Sequence, residues 1–227
     1  MSIFRTETLP CPSCGTPLAY ELVHSVNADR RPELRDAILD GSFQLQTCPS
    51  CGTAFRCEPE FTYLDQQRGQ YIGVWPASRR HEWQACAAKT REVFDHSLGA
   101  HAPREARALG DKLAVRTVFG WAALVEKLLA RDAGIDDRTL EAAKLAVMRT
   151  QEETPLPGQL ELRLVGAEGG DPLLAWVGAG TGEAPRALKV PRTLIDAIDA
   201  EPERWQALRE SVAEGDVVDF QRELLAS

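Results

Sequence analysis

Two five-residue turns of one pattern constrain the fold of this chain more than any other feature. They are Cys11-Pro12-Ser13-Cys14-Gly15 and Cys48-Pro49-Ser50-Cys51-Gly52. Tetrahedral Zn²⁺ takes four Cys sulfurs at about 2.3 Å, and two cysteines two residues apart on a tight turn supply neighbouring corners. The proline fixes φ and the glycine permits a positive φ, so each turn is preset for chelation. The pair predicts one structural zinc site with the ligands Cys11, Cys14, Cys48 and Cys51.

A Cys-x-x-Cys turn can also be a redox pair. That use expects one such motif, opening a helix in a thioredoxin-like unit. Here strand-like residues follow each turn, Pro17–Asn27 after the first and Thr53–Cys57 after the second. We therefore favour structural metal over disulfide or redox chemistry. Zinc is the default metal, and iron is the alternative because it also accepts four thiolates.

The interval between the two turns, residues 15–47, is longer than the roughly 15–20 residues of a usual zinc ribbon, so it must hold folded elements. Pro17–Asn27 alternates as a strand does. Pro32–Leu39 has a proline suited to a first helical turn and apolar residues on one side. Phe43–Thr47 leads into the second turn as a strand. The insert is predicted as strand, short helix, strand.

Three further strands are predicted after the second turn: Thr53–Cys57, Phe61–Leu64 and Tyr71–Trp75. They complete a small antiparallel sheet. Cys57 follows the complete set of four ligands, so we expect it to be a packed or partly exposed free thiol.

These residues together resemble the CpXC domain, which is named for its twin Cys-Pro-x-Cys motifs. The likeness covers about residues 7–76 and includes Glu60–Asp65 and Ile72–Pro76. The resemblance implies the same four cysteine ligands and no catalytic residue. A looser likeness to the helical segment that follows in such proteins rests on Arg116–Gly120, Glu126-Lys127 and Gly134–Arg138.

Residues 77–152 are predicted to be helical. The first helix runs from Ser78 to Leu98, and a second covers Asp111–Arg131 because its apolar residues recur at spacings of three and four. Gly134 ends this second helix, and Asp136 or Asp137 caps the next, which gives a helical hairpin. His96 and His101 are five residues apart, which is not the i, i+4 spacing of a metal-binding helix, so no second site is expected there.

The last part of the chain reads as a small α+β unit after a linker at Gln151–Gly158. The Gly178–Gly182 stretch is read as a hairpin tip, because it lacks the spacing and lysine of a phosphate loop. Val217–Leu225 fits a strand or a short helix. The predicted strands are Gln159–Gly166, Pro172–Val177 and Ala187–Val190, and the predicted helices are Pro191–Ala200 and Pro202–Ala213.

The predicted fold class is therefore α+β. It consists of a zinc-ribbon-like antiparallel sheet with a short helical insert, a central helical hairpin or bundle and a small C-terminal α+β module. The predicted domains are residues 1–76, 77–152 and 159–227.

Composition and net charge narrow the range of functions that this protein could have. The sequence has no run of the 18 or so apolar residues that a membrane helix needs, and its first residues have no apolar secretory segment, so we expect a cytoplasmic protein without a membrane partner. The cytoplasm also keeps thiols reduced for metal binding. The net charge of -8 disfavours nucleic acid, which attracts basic faces.

The sequence predicts a non-enzymatic zinc-binding protein that serves as a protein-interaction or regulatory adaptor. Its support is a complete ligand set with no nucleophile, base or cofactor loop elsewhere. The alternative is a nucleic-acid-binding zinc ribbon of transcription or RNA metabolism, which rests on analogy between folds. A redox enzyme or a hydrolase is a third possibility. The pattern fixes neither the protein partner nor the oligomeric state.

Overall fold

The computed structural model describes residues 1–149, 160–178 and 187–222. The N-terminal elements are β1 (Ile3–Pro10), β2 (Pro17–Asn27), α1 (Pro32–Asp40), β3 (Leu45–Thr47), β4 (Ala54–Arg56), β5 (Phe61–Asp65) and β6 (Gln70–Trp75). A 3₁₀ turn follows at Ala77–Glu82, and then α2 (Trp83–Ser97), α3 (Arg104–Gly110), β7 (Ala114–Phe119), α4 (Gly120–Asp132) and α5 (Asp137–Met148). The last elements are β8 (Leu160–Glu168), β9 (Asp171–Gly178), β10 (Ala187–Lys189), α6 (Arg192–Ala200), α7 (Pro202–Ser211), β11 (Ala213–Glu214) and β12 (Val217–Val218). This mixture of helices and sheets confirms the α+β class.

The main sheet has five strands in the order β1-β2-β5-β6-β7. The β1–β2 and β5–β6 pairs are antiparallel, whereas β2 pairs with β5 and β6 pairs with β7 in parallel. The sheet is thus mixed, where the sequence predicted a smaller antiparallel one. Parallel neighbours require long connections, and these are supplied by α1 with the β3–β4 hairpin and by α2 with α3.

The predicted helix over Asp111–Arg131 is wrong in its first half. Ala114–Phe119 forms strand β7 at the edge of the main sheet, and the helix begins only at Gly120. Gly120 has φ of 79°, a left-handed conformation that favours glycine and separates strand from helix. The run Val115–Phe119 contains β-branched and aromatic residues, which suit a strand covered by helices.

The other central elements lie close to their predicted places. The helix expected over Ser78–Leu98 starts as a 3₁₀ turn and continues as α2. Gly134 has a positive φ of 62° after α4. Asp136 caps α5, since its carboxylate accepts from the amides of Arg138 at 3.0 Å and Thr139 at 3.2 Å.

The C-terminal strands β8, β9 and β10 form an antiparallel three-stranded sheet, as predicted, and α6 and α7 follow. In the segment Val217–Leu225, residues 217 and 218 are strand, and residues 223–225 lie outside the described residues. The predicted linker Gln151–Gly158 and residues 179–182 of the predicted hairpin tip also lie outside them.

Two apolar clusters form most of the core. The first packs α1 and α4 on the main sheet, through residues such as Ile38, Tyr63, Ile72 and Leu124. The second packs α5 and α6 on the C-terminal sheet. The first cluster contains residues from both sides of residue 76, so the core does not break at that predicted boundary. The division into three modules stays a prediction.

A cluster of largely buried ion pairs links α4, α5 and β8. Lys144 Nζ lies 2.7 Å from Glu126 Oε2 and 2.8 Å from Glu141 Oε1, and Arg163 lies 3.0 Å from Glu126 Oε1. Burial alone would raise the pKa of Glu126, but attraction to Lys144 and Arg163 outweighs it and lowers the pKa to about 2. The cluster consists of Arg80, Arg116, Glu126, Lys127, Asp137, Glu141, Lys144, Glu161, Arg163 and Asp219.

Candidate metal centre

Each cysteine turn lies at the tip of a β-hairpin. The first turn joins β1 to β2, where Pro10 pairs with Pro17, and the second joins β3 to β4, where Thr47 pairs with Ala54. We call these turns the first and second knuckles, residues 11–16 and 48–53. The two hairpins bring the knuckles together, although β2, α1 and β3 intervene in the sequence.

The backbone of each knuckle explains why its sequence suits metal chelation. The amide of Gly15 donates to the carbonyl of Cys11 at 2.9 Å, and the amide of Gly52 donates to the carbonyl of Cys48 at 2.8 Å. Gly15 has φ of 72° and Gly52 has φ of 74°, so a positive φ is required at both positions. The tight turn holds its two cysteine sulfurs on the same side.

The four predicted ligand sulfurs converge. All four Sγ atoms lie within 4.8 Å of one another. Across the knuckles, Cys11 Sγ lies 3.8 Å from Cys51 Sγ, and Cys14 Sγ lies 3.7 Å from Cys48 Sγ. A tetrahedron with metal–sulfur bonds of about 2.3 Å has edges of about 3.8 Å, so the sulfur positions fit a four-thiolate metal. Within residues 1–149, 160–178 and 187–222, no other group of three or more His, Cys, Asp or Glu side chains is close enough to hold an ion.

The sulfurs are supported by neighbouring polar groups. The Ser13 amide donates to Cys11 Sγ at 3.4 Å. Thr16 Oγ1 lies 3.3 Å from Cys14 Sγ, and Thr53 Oγ1 lies 3.3 Å from Cys51 Sγ. The Thr53 hydrogen bond lowers the pKa of Cys51 from 9.0 to about 6, and the Thr16 bond lowers the pKa of Cys14. Lower pKa values favour the thiolate form that binds metal.

The two threonines were missed by the sequence reasoning, which ended each motif at its glycine. The repeat in fact extends by one residue, because Thr16 follows Gly15 just as Thr53 follows Gly52. That sixth shared position was the available signal. Partners of metal ligands of this kind orient the ligands and tune their basicity.

The remaining cysteines and the histidine pair lie elsewhere. Cys57 is buried against Tyr20 and Leu22, as expected of a packed thiol, and burial raises its pKa. Cys86 is fully buried on α2, and burial raises its pKa as well. The rings of His96 and His101 lie 5.1 Å apart.

A cleft of about 970 Å³ opens beside the two cysteine hairpins. Residues of β4, the first turn of α4, the end of α1, β8 and β9 line it, together with Leu9 and Pro10 of β1 and Pro12 of the first knuckle. The Arg56 guanidinium lies 4.0 Å from the ring centroid of Trp121 and donates to the Phe43 carbonyl at 2.8 Å. Burial lowers the pKa of Arg56 to about 10. The second knuckle therefore belongs to the hairpin that shapes this cleft, a feature that sequence patterns did not predict.

The fold and the site define an α+β protein with a paired-knuckle, four-cysteine centre. The family model of the CpXC protein matches residues 9–144, which is more than half of the chain, and the chain belongs to the CpXC family. The matched range contains both knuckles and extends through most of α5. No match was found among curated proteins or among solved structures. None of the described helices is long and apolar enough to span a bilayer.

Proposed function

We propose that this protein binds Zn²⁺ at Cys11, Cys14, Cys48 and Cys51, that the metal is structural, and that the protein is a non-enzymatic interaction or regulatory adaptor. The main support for this proposal is the spacing of the four sulfur atoms, which fits a tetrahedral metal site. The sulfur–sulfur distances across the knuckles are 3.7 and 3.8 Å. Four cysteine thiolates favour zinc over metals that prefer oxygen ligands. Iron is the alternative metal, because it also binds four thiolates. A reducing compartment such as the cytoplasm would keep the four thiols available.

A structural role follows from the number of ligands. Catalytic zinc sites use three protein ligands and keep a fourth position for water or substrate, whereas structural sites are closed by four. Four cysteines complete the tetrahedron here. When bound, the metal would tie the tip of the β1–β2 hairpin to the tip of the β3–β4 hairpin. The metal would then fix the position of one hairpin relative to the other.

The exposed surface around the two hairpin tips supports the adaptor role. The knuckle residues Pro12, Ser13, Pro49 and Ser50 are exposed. Next to them, Leu45 of β3 is 53% exposed and lines the cleft. An exposed leucine in a cleft suits a protein partner that inserts an apolar side chain. The metal would hold this surface in shape.

Charge counts against the nucleic-acid alternative. Residues 1–76 contain six arginines, no lysine and nine acidic residues. A zinc ion with four thiolates adds about two further negative charges, since +2 meets four charges of -1. Nucleic-acid affinity comes largely from basic contacts with phosphates. We therefore propose a protein partner.

The metal assignment is tested by measuring bound metal in three versions of the full chain. Wild type, Cys48→Ser and Cys86→Ser are purified in parallel, and their metals are identified by mass spectrometry. We expect one zinc per wild-type and Cys86→Ser chain and a loss of zinc in Cys48→Ser. Full zinc in Cys48→Ser, or a different metal in wild type, would refute the assignment.

The adaptor role is tested by tagged recovery from native cells, with bound proteins and nucleic acids both quantified. Leu45→Asp should lose a stoichiometric protein partner while keeping its zinc, and Cys48→Ser should lose both. Leu188→Asp is the matched control, because Leu188 is 37% exposed on β10 and does not line the cleft. Recovery of nucleic acid that dissociates at moderate salt would favour the alternative instead.

A further inference from the structure

The outer edge of β1 is open. In the described part of the chain β1 pairs with β2 on one side and with no strand on the other. Other long edges are closed by specific groups: the Thr117 amide of β7 donates to the Asp216 carbonyl, and the Leu162 and Leu164 amides of β8 donate to side chains of Gln221 and Glu126. An open strand edge is a template for another strand.

Residues 5–8 of β1 are exposed, and two of them carry opposite charges two residues apart. Arg5 and Glu7 are both exposed. Glu7 Oε1 lies 3.1 Å from His24 Nε2, whereas Arg5 has no ion pair among the described residues. Ile3 is 45% exposed, and Leu9 is partly buried. The strand therefore has an unpaired cation, a nearby anion and apolar residues at both ends.

We propose that two copies of this chain associate through β1, with the two strands antiparallel and related by a two-fold axis at Thr6. In this register Arg5 of each copy lies opposite Glu7 of the other, and Ile3 of each lies opposite Leu9 of the other. Directly opposed residues on antiparallel strands share a face with their Cβ atoms about 5 Å apart, close enough for these pairs to interact. One continuous ten-stranded sheet would result, because each main sheet has five strands.

Charge selects this register over its neighbours. When a two-fold axis perpendicular to the sheet relates the two strands, directly opposed residues must lie on the same face of the sheet. The axis therefore passes through a residue, and the neighbouring registers are those with the axis at Arg5 or at Glu7. Centring on Arg5 sets Arg5 against Arg5, and centring on Glu7 sets Glu7 against Glu7. Like charges directly opposite destabilise a sheet. Thr6 is the centre that converts both contacts into attractive pairs, and a symmetric dimer makes each pair twice.

The proposal makes β1 a homodimer interface in addition to the partner surface at the cleft. It requires neither a particular metal nor a particular partner. Its failure would leave the zinc site and the adaptor role untouched, and their failure would leave the charge pattern of β1 unchanged.

The test is a charge exchange, read as molar mass against concentration by sedimentation equilibrium of the full zinc-loaded chain. Arg5→Glu and Glu7→Arg should each weaken dimerisation by about tenfold or more, since each places like charges opposite one another twice. The double variant Arg5→Glu/Glu7→Arg should restore it. Arg104→Glu is the matched control, because Arg104 is exposed on α3 and has no ion pair in the described residues, and it should dimerise as wild type does.

Three results would overturn the proposal. The first is a wild-type chain that stays monomeric at its highest soluble concentration. The second is a dimer that Arg5→Glu and Glu7→Arg weaken no more than Arg104→Glu does. The third is loss of the dimer in the single variants without recovery in the double variant, which would reject the Thr6 register.

Discussion

Cys11 and Cys48 occupy equivalent positions in the two knuckles. The Cys11 amide donates to the Thr16 carbonyl and the Cys48 amide donates to the Thr53 carbonyl, at 2.9 Å in both cases. Both cysteines are buried, whereas the second cysteine of each knuckle is exposed. The two halves of the centre thus share one local structure, and each buried cysteine should contribute equally to metal binding.

We expect Cys11→Ser and Cys48→Ser to weaken zinc binding to the same degree. Changes to groups that merely support a ligand cost about 10–100-fold in affinity, so loss of a ligand should cost more than about 100-fold. Competition with a chelator of known affinity measures both variants. Cys86→Ser should match wild type, and a tight site in either knuckle variant would contradict four-cysteine coordination.

Thr16→Val and Thr53→Val should each reduce zinc affinity by roughly tenfold without abolishing binding. Valine keeps the shape of threonine but removes the hydroxyl that lies 3.3 Å from the neighbouring sulfur. The same competition assay applies. Thr47→Val provides the control, because Thr47 is an exposed threonine next to Cys48. Equal affinity in all three variants would mean that the hydroxyls do not support the thiolates.

Lys144→Met should destabilise the protein by about 3–5 kcal/mol, because it leaves Glu126 and Glu141 buried without this cation. Urea unfolding measures the free energy of unfolding. Adding Glu141→Gln to Lys144→Met should recover part of the loss by removing one of the stranded charges.

Lys89→Met is the matched surface change for this experiment. Lys89 forms an exposed pair with Glu92 at 2.9 Å, and such pairs contribute about 0–1 kcal/mol. A Lys144→Met variant as stable as Lys89→Met would show that the buried cluster does not need its lysine.

Acid titration should find Glu126 still ionised well below the usual range of a glutamate. Its pKa is lowered to about 2 from the ordinary 4.5, so the unfolded chain binds more protons than the folded chain between these values. The stabilisation from Glu126 is therefore present above pH 4.5 and is lost as the pH falls towards about 2. The slope for one such group is about 1.4 kcal/mol per pH unit.

Carbon-detected NMR of the Glu126 carboxyl measures this directly, because zinc release in acid would also change the stability. The midpoint should lie near 2 in wild type and should rise in Lys144→Met, which removes an attracting cation. A wild-type midpoint near 4.5 would contradict the proposed balance of charges.

The knuckles could be predicted from the sequence because their geometry is local. Cysteine spacing, proline and glycine together determine a chelating turn without help from distant residues. That the two turns meet in one cluster was also predictable, because a four-thiolate metal site would need both pairs of cysteines. The supporting Thr16 and Thr53 could have been found by extending the repeat by one residue.

Strand β7 could not be separated from α4 by the spacing of apolar residues alone. Val118, Trp121, Val125 and Leu128 follow one another at helical intervals, although Val118 lies in the strand. What decides the conformation is β6, which offers its edge to Ala114–Phe119. Tertiary pairing of this kind overrides a local pattern, and only the glycine at position 120 indicated the break.

The buried ion pairs could not be predicted from the sequence either. Glu126 and Lys144 stand in the sequence as ordinary charged residues of two helices. Their burial depends on Arg163, which lies on a strand 37 residues after Glu126. Partners separated in this way follow no one-dimensional spacing rule.

The pairing of β6 with β7 has a consequence for any shortened form of this protein. A chain that ended at residue 76 would keep all four clustered cysteines but lose the strand that covers β6 and the helix that covers Ile72 and Val74. Its exposed edge and apolar face would recruit other chains, since open hydrophobic strands promote aggregation. The first 53 residues carry both knuckles, yet we expect β6, in the same sheet as β1 and β2, to stay protected from aggregation only when residues 114–132 are present to cover it.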